Sequence, residues 1–227
     1  VLWLARNNFG GEIPKIMANL SHRLTELVIA ENKLSGPIPE GFGSSGNLYY
    51  LDASLNSLSG VMPSDFGEFQ NLQLLALHGN WLSGAILPTL CNVSTLYHLD
   101  LSSNRFVGYN IFSNVLVNCQ NLQYLDISQN NISGTISPLF LSMHSSLLFM
   151  SLGQNRFTGS LPLEVGKLIH LVVLNVSYNK FSGAMPPSLA DCLDLKYLDM
   201  EFNGFQGSIP PNLASLRGIH QLDLSSN

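Results

Sequence analysis

Charged side chains are scarce in this sequence. Asp, Glu, Lys and Arg make up 11% of the 227 residues, against roughly 25% in an average globular protein. The formal net charge is −5, from 10 Lys and Arg and 15 Asp and Glu. Nucleic-acid-binding proteins need clustered Lys and Arg, so this balance predicts no nucleic-acid partner.

Long apolar runs and metal or catalytic motifs are also missing. No stretch approaches the roughly 18 consecutive apolar residues of a membrane span, and no charged-then-apolar leader opens the chain. We therefore expect contact with a membrane only through a span outside this segment. The three cysteines contain no C-x-x-C pair and are not expected to form a disulfide framework or a zinc site. Without G-x-S-x-G or H-E-x-x-H, we predict no catalytic residue, no metal and no cofactor.

What the chain does contain is an asparagine at an almost constant interval. It closes a phrase of the form L-x-x-L-x-L-x-x-N, and successive copies lie 24 to 26 residues apart. The copies are Asn7, Asn32, Asn56, Asn80, Asn104, Asn130, Asn155, Asn179, Asn203 and Asn227. A period in this range predicts a solenoid in which each repeat is one turn.

Each repeat begins with the alternation typical of a strand that has one buried face. In LTELVIAEN (24–32), the apolar Leu27 and Ile29 alternate with their neighbours. If the first leucine is position 1, we expect positions 4 and 6 in the core and positions 3, 5 and 7 in solvent. The position 9 amide can bond to backbone groups of adjacent turns, so Asn179 is predicted to be a core residue.

The second half of each repeat is marked by glycine and proline. The glycine predicts a backbone conformation or close approach that only glycine tolerates. It occurs at Gly11, Gly36, Gly60, Gly84, Gly108, Gly134, Gly159, Gly183 and Gly207. Proline follows in six repeats and keeps that side extended. The x-x-L-x-x-L spacing that comes next suits a short 3-10 turn.

Three residues occupy the same position in their repeats, shortly before the first leucine. Cys119, Cys192 and His144 each stand three residues ahead of it, where other repeats carry Val or Leu. The two cysteines are predicted to be small core residues. They lie three repeats apart, roughly 15 Å by strand spacing, which is too far for a disulfide. His144 is predicted to be a core or rim histidine.

The repeat phrase resembles that of a known family. LTELVIAENKLSGPIP (24–39) is similar to the plant-type leucine-rich repeat, and the resemblance covers essentially the whole chain. This variant is typical of the ectodomains of plant receptor-like serine/threonine kinases and receptor-like proteins, and of secreted polygalacturonase inhibitors. LEVGKLIHLVVLNVSYNKFSGAMP (163–186) and ANLSHRLTEL (18–27) resemble the receptor kinases that sense bacterial peptides.

The resemblance implies an α/β leucine-rich-repeat solenoid of about ten repeats of ~24 residues. It would be a right-handed superhelix with a parallel β-sheet on the concave face and short 3-10 or helical turns on the convex face. Residues 1–227 would form a single domain fragment that begins and ends mid-repeat, without the family's cysteine-paired caps. The repeat at 105–121 departs from the pattern because it is longer and lacks the Ile-Pro phrase.

Two columns of the expected concave face are candidate binding surfaces. Position 5 carries Asp52, Asp100, Asp126, Asp199 and Asp223. These carboxylates either brace the repeats or make a groove that favours cationic or neutral ligands. Position 3 carries an aromatic stripe that Tyr178 and Phe202 extend at position 8. The stripe consists of Tyr50, His98, Tyr124, Phe149 and Tyr197. The rings either cover one another or form a recognition surface.

Four N-x-S sequons and one basic column complete the candidates. The sequons at Asn19, Asn92, Asn131 and Asn175 predict N-glycosylation in the secretory pathway. Asn175 is at position 5, so a glycan there would stand in the groove and confine a ligand to one side of it. Position 10 is interpreted as a solvated basic rim. It carries Lys33, Arg105, Arg156 and Lys180.

Two hypotheses for function follow from the resemblance. In the first, the segment belongs to the ligand-sensing ectodomain of a plant receptor-like kinase at the extracellular face of the plasma membrane. A peptide or protein ligand, with or without a co-receptor ectodomain, would lie on the concave face, and any kinase activity would belong to another domain. In the second, the chain is a secreted inhibitor of a wall-degrading enzyme in the apoplast. A receptor-like protein without a kinase lies between these two.

Overall fold

The repeats form a solenoid that carries two parallel sheets. The computed structural model describes residues 1–19 (the side chain of Asn19 excepted), 23–44 and 46–227. Most repeats contribute a short strand, a turn, a second strand and a helical segment, in that order. The predicted α/β solenoid is confirmed.

The first sheet, here called the concave sheet, is built from the alternating segments. Its ten strands lie side by side in chain order. They are β1 (Leu2–Trp3), β3 (Glu26–Val28), β5 (Tyr50–Asp52), β7 (Leu74–Ala76), β9 (His98–Asp100), β11 (Tyr124–Asp126), β13 (Phe149–Ser151), β15 (Val173–Asn175), β17 (Tyr197–Asp199) and β19 (Gln221–Asp223). From β3 onward, equal positions of successive repeats are paired, as Tyr124 is with His98 and Phe149. A residue type repeated at one position therefore makes a straight column.

The extended phrase after each asparagine forms a second sheet, which the periodicity alone does not predict. We call it the flanking sheet, and its nine strands also follow chain order. They are β2 (Gly10–Glu12), β4 (Lys33–Pro37), β6 (Ser57–Val61), β8 (Trp81–Ala85), β10 (Arg105–Tyr109), β12 (Asn131–Gly134), β14 (Arg156–Gly159), β16 (Lys180–Ala184) and β18 (Gly204–Gln206). Eight of the nine repeat glycines have a positive φ, as predicted, whereas Gly108 of the irregular repeat does not.

Short helical segments form the third side of the solenoid. The 3-10 helices are Lys15–Asn19, Ser64–Glu68, Pro88–Asn92, Leu116–Asn118, Leu163–Lys167, Pro187–Asp191 and Pro211–Ser215. Two α-helices, α1 (Ile111–Asn114) and α2 (Pro138–Met143), also lie on this side, in the consecutive repeats that follow Asn104 and Asn130. Within the described ranges, no helix is both long and apolar enough to cross a bilayer.

The turn between the two sheets has the same unusual backbone in every repeat. Position 8, directly before the asparagine, has a φ between 49° and 65° in all ten copies. Position 7 lies at the entrance to this turn, and its small residues are buried, as Ser54 and Ser177 show. The expectation that position 7 faces solvent is therefore wrong for five of the ten repeats, because the strand ends before that residue.

The repeat asparagines form a hydrogen-bonded ladder inside this turn. Asn104 donates to two carbonyls of its own repeat and to the carbonyl of Leu77 in the preceding repeat, at 2.9 Å. Its Oδ1 accepts from the Leu82 amide at 3.0 Å. Asn179 makes the same four bonds and is half buried, so its predicted place in the ladder is confirmed.

One disulfide corrects the expectation that the cysteines stay unpaired. Cys91 lies in Pro88–Asn92 and Cys119 caps Leu116–Asn118 of the next repeat, with their Cα atoms 4.5 Å apart and their sulfurs bonded. The pair weighed from the sequence was Cys119 and Cys192, which are three repeats apart. Adjacent repeats satisfy the required distance.

Cys192 and His144, which hold the same place in their repeats as Cys119, are core residues, as predicted. Cys192 is free and buried, and burial raises the pKa of its thiol to about 12. His144 is fully buried, with its ring nitrogens 2.8 Å from the Phe140 carbonyl oxygen and 3.0 Å from that of Cys119. Burial lowers the pKa of His144, so the ring is held in the neutral form.

Candidate ligand-binding surface

Position 3 of the concave sheet forms one continuous hydrophobic column. The strand register places Leu74 between Tyr50 and His98, and Val173 between Phe149 and Tyr197. The aromatic stripe predicted from the sequence is thus joined by two aliphatic side chains. We call the set from Tyr50 to Tyr197 the aromatic column.

The centre of the aromatic column is a stack of three rings. The ring centroids of His98 and Tyr124 are 4.0 Å apart and those of Tyr124 and Phe149 are 4.3 Å apart, with planes within 8° of parallel. All three side chains are half buried, so they cover one another and still leave their edges open to solvent. Burial raises the pKa of Tyr124 and lowers that of His98, which favours neutral rings at neutral pH.

Tyr178 and Phe202 form a second aromatic surface. Their rings stack at 4.4 Å, and their side chains are 42% and 45% exposed. They stand at position 8, in the turn that follows each strand of the concave sheet, as the sequence predicts. Desolvation and the nearby Glu201 and Asp199 raise the pKa of Tyr178.

The position 5 carboxylates brace their own repeats. Oδ1 of Asp100 accepts from the backbone amide of Ser102 at 3.0 Å and from its hydroxyl at 2.7 Å. The same pair of bonds joins Asp126 to Ser128. One carboxylate oxygen is therefore structural, while the charge of the column still faces the concave side.

Asp100 also contacts the one histidine at position 7. Nδ1 of His78 lies 3.1 Å from Oδ2 of Asp100. The Asp100 carboxylate raises the pKa of His78. Burial acts to raise the pKa of Asp100, but the contacts with His78 and Ser102 outweigh it and the net pKa is lowered. Burial raises the pKa of Asp126.

The concave face therefore combines stacked rings with an anionic column. No Lys or Arg occupies position 3, 5 or 7 of any repeat. Among the residues with described coordinates, no group of three or more His, Cys, Asp or Glu is placed to hold a metal ion. The arrangement suits noncovalent recognition of an extended, cationic or neutral chain.

The sequons differ in their surroundings. Oδ1 of Asn175 accepts hydrogen bonds from the Ser177 amide at 2.9 Å and from the Ser177 hydroxyl at 2.7 Å. Its side chain is half buried and lies between Ser151 and Asp199, the position 5 residues of the two neighbouring repeats. Asn92 and Asn131 are exposed on the helical side and on β12. The side chain of Asn19 and residues 20–22 lie outside the described residues.

The solenoid, its asparagine ladder and its two parallel sheets define a solenoid repeat protein, and comparison with known proteins shows its family. A model described as Leucine Rich Repeat matches residues 23–45, 47–69, 121–143, 170–192 and 194–216, which together make up half of the chain. The chain belongs to the leucine-rich repeat family.

Two similar proteins are a receptor-like protein and a receptor kinase-like protein of plants. Receptor-like protein 32 of Arabidopsis thaliana is 34% identical over 156 residues, which is 69% of this chain and 15% of that protein. Receptor kinase-like protein Xa21 of Oryza sativa subsp. japonica is 42% identical over 60 residues, which is 26% of this chain and 6% of that protein. The chain thus spans only a small part of these relatives.

A solved structure matches nearly the whole chain. It is the Arabidopsis receptor kinase HAESA in complex with the peptide hormone IDA and the co-receptor SERK1. The two chains are 30% identical with a TM-score of 0.91, over 98% of this chain and 37% of the chain in that structure. The chain is therefore similar to a plant receptor ectodomain in both fold and sequence.

Proposed function

We propose that this chain is the ligand-binding part of the ectodomain of a plant cell-surface receptor-like kinase. An extended peptide or a protein segment lies across the concave sheet and is read by the aromatic column. The observation that carries the proposal is the half-buried stack of His98, Tyr124 and Phe149 beside the position 5 carboxylates. The similarity to HAESA, whose complex contains a peptide hormone and a co-receptor, supports a peptide ligand and a co-receptor partner here.

The chemistry of the face limits the kind of peptide. Aromatic edges give a large contact area at a small cost in side-chain entropy, which suits a peptide's apolar side chains. The position 5 carboxylates attract Lys and Arg and repel Asp and Glu. Since positions 3, 5 and 7 carry no Arg or Lys, a peptide carboxylate would have to be held outside these columns.

Removing the centre of the aromatic column should abolish most of this binding. For Tyr124→Ala/Phe149→Ala we expect the affinity to fall by roughly 30-fold or more, since buried aromatic contacts at interfaces are worth about 2 kcal/mol or more each. Binding is measured by calorimetry with peptides selected on the intact protein from a library that contains both basic and acidic members. Basic peptides should dominate the selection.

The control removes apolar surface from the helical side. Leu163 and Leu193 are 65% and 66% exposed and contact neither column, so Leu163→Ala/Leu193→Ala should leave peptide affinity unchanged. Equal affinity of the wild type and the Tyr124/Phe149 variant, with both folded by circular dichroism, would contradict the concave assignment.

The sequons are proposed glycosylation sites and define the free part of the groove. We expect peptide mapping of the protein secreted from plant cells to find a glycan on Asn92, which is exposed on the helical side. Among the described residues, none accepts a hydrogen bond from the Asn175 amide nitrogen. A glycan mapped there would confine the ligand to the repeats on one side of β15. An unmodified Asn92 would contradict this expectation.

A receptor-like protein without a kinase is the second candidate, favoured by the long match to Receptor-like protein 32. A secreted polygalacturonase inhibitor in the apoplast is the third. The gene downstream of this segment distinguishes them. A membrane span followed by serine/threonine kinase motifs supports the first proposal, a span without a kinase supports the second, and a stop after a cysteine-paired cap supports the third.

A further inference from the structure

The outer face of the flanking sheet differs in chemistry from the concave face. Alternate residues of its strands point outward, as shown by exposed Arg105 and Val107 on either side of buried Phe106. From β4 to β18 the strands contain no Asp or Glu, although the chain has more acidic than basic residues. Four of the ten Lys and Arg stand in one row of this face, at position 10. They are Lys33, Arg105, Arg156 and Lys180.

Two pairs of neighbouring side chains in this row are in contact. The guanidinium carbon of Arg105 lies 5.6 Å from the centre of the Trp81 ring. Nη2 of Arg156 donates to Oδ1 of Asn131 at 2.9 Å. Trp81 is 54% exposed, so one large ring lies open within a line of cations.

A second row, at position 12, consists mainly of hydroxyls. Their orientation is fixed because several donate to glycine carbonyls of the preceding repeat. The bonds are Ser83 to Gly60 at 3.2 Å, Ser133 to Gly108 at 3.1 Å and Thr158 to Gly134 at 3.2 Å. With the proton committed, each oxygen presents its remaining lone pair as an acceptor.

The disulfide holds the centre of this face in place. Cys91 follows β8 and Cys119 follows β10, so their bond joins the two repeats that carry Trp81, Arg105 and the 72%-exposed Tyr109. A surface fixed before binding loses less entropy when a ligand arrives.

We propose that the outer face of the flanking sheet binds an acidic polysaccharide, a linear polyuronate. Each uronic acid ring carries a carboxylate on one edge and hydroxyls on another, which matches parallel rows of cations and hydroxyl acceptors. Arg and Lys of position 10 bind the carboxylates, the Ser and Thr of position 12 accept from sugar hydroxyls, and Trp81 packs against a sugar ring. This site is separate from the concave surface and does not depend on a peptide ligand.

The match is better for a polyuronate than for an acidic peptide or a second copy. A peptide would use the cations but offers the hydroxyl row one backbone N–H per residue, whereas each uronic acid ring offers several hydroxyls beside its carboxylate. A symmetric contact between two copies would bring two acid-free basic rows together, and like charges would oppose it.

The test measures binding of oligogalacturonates of defined length to the intact protein by biolayer interferometry at several salt concentrations. We expect saturable binding that weakens as salt increases, and no binding of a neutral glucan oligomer of equal length. Arg105→Ala/Arg156→Ala should weaken binding by about 10-fold or more, because the charge-assisted hydrogen bonds to the carboxylates are lost. Trp81→Ala should weaken binding about 5-fold without changing the salt dependence.

A matched control removes two cations elsewhere. Lys15→Ala/Arg217→Ala lowers the net charge equally on the helical side and should leave binding within 2-fold of wild type. An equal loss in both double variants would show nonspecific attraction and overturn the site. Tighter binding of poly-glutamate than of oligogalacturonate would overturn the polysaccharide in favour of an acidic protein.

Asn131 lies in the row and is a sequon, so each measurement is repeated with Asn131→Gln. If the wild type carries a glycan there, the variant should bind at least as tightly as the wild type. Absence of oligogalacturonate binding in both proteins would overturn the proposal.

Discussion

Replacing Asn104 with alanine is expected to lower the free energy of unfolding by about 3–5 kcal/mol. The side chain is 9% exposed and makes four hydrogen bonds to backbone groups of two repeats. Alanine leaves the buried Leu82 amide without its partner, at a cost of about 1–3 kcal/mol. It also removes three hydrogen bonds to carbonyls, worth about 0.5–1.5 kcal/mol each, although the Leu77 carbonyl keeps its bond from Asn80.

Chemical denaturation monitored by circular dichroism checks this value, and two variants calibrate it. Asn118→Ala removes an exposed asparagine and should change stability by no more than about 0.5 kcal/mol. Asn7→Ala should cost less than Asn104→Ala, since exposed Asn7 donates only within its own repeat. A loss below about 1 kcal/mol for Asn104→Ala would show that the ladder is not a main source of stability.

Removing the disulfide is expected to have the second largest effect. Cys91→Ala/Cys119→Ala should lower the free energy of unfolding by about 3–4 kcal/mol, the chain-entropy value for a closed loop of this size. The cysteines are 28 residues apart and join adjacent repeats where the chain departs from its regular length. Thermal unfolding with and without reductant measures the change.

Counting free thiols separates the disulfide from its neighbours. The denatured protein should show one reactive thiol, from Cys192, and three after reduction. Cys192→Ala leaves the bond intact, so its unfolding should keep the wild-type response to reductant. Three thiols in the unreduced denatured protein would contradict the pairing.

The fold was predictable where one residue recurs at one position. The asparagine and glycine columns follow from a period read ten times over, and one repeat's structure then applies to its neighbours. The flanking sheet was harder to predict because a phrase such as KLSGP (33–37) has neither strict alternation nor length. The Cys91–Cys119 bond depends on α1 and the turn after it, which occur in a single repeat and leave no periodic signal.

The sequence predicts which residues lie side by side on the candidate surface, but not how their side chains contact one another. Equal register in the concave sheet puts Tyr124 beside His98 and Phe149, and this follows from the repeat. Whether rings stack or splay depends on side-chain rotamers, which a sequence does not record. Leu74 and Val173 were missed because only aromatic residues were counted, and the oxygen acceptors of position 12 depend on bonds between repeats.

The left-handed residue at position 8 has a consequence for how this molecule can vary in length. Nine of its ten copies are not glycine, and they range from Arg6 and Glu31 to Tyr178 and Phe202. Each such residue costs about 1 kcal/mol or more in the left-handed region, and the cost is the same in every turn. A regular repeat added or deleted therefore meets the same turn at each junction. Each such change adds or removes the same conformational cost, and the length of both sheets changes in the same steps.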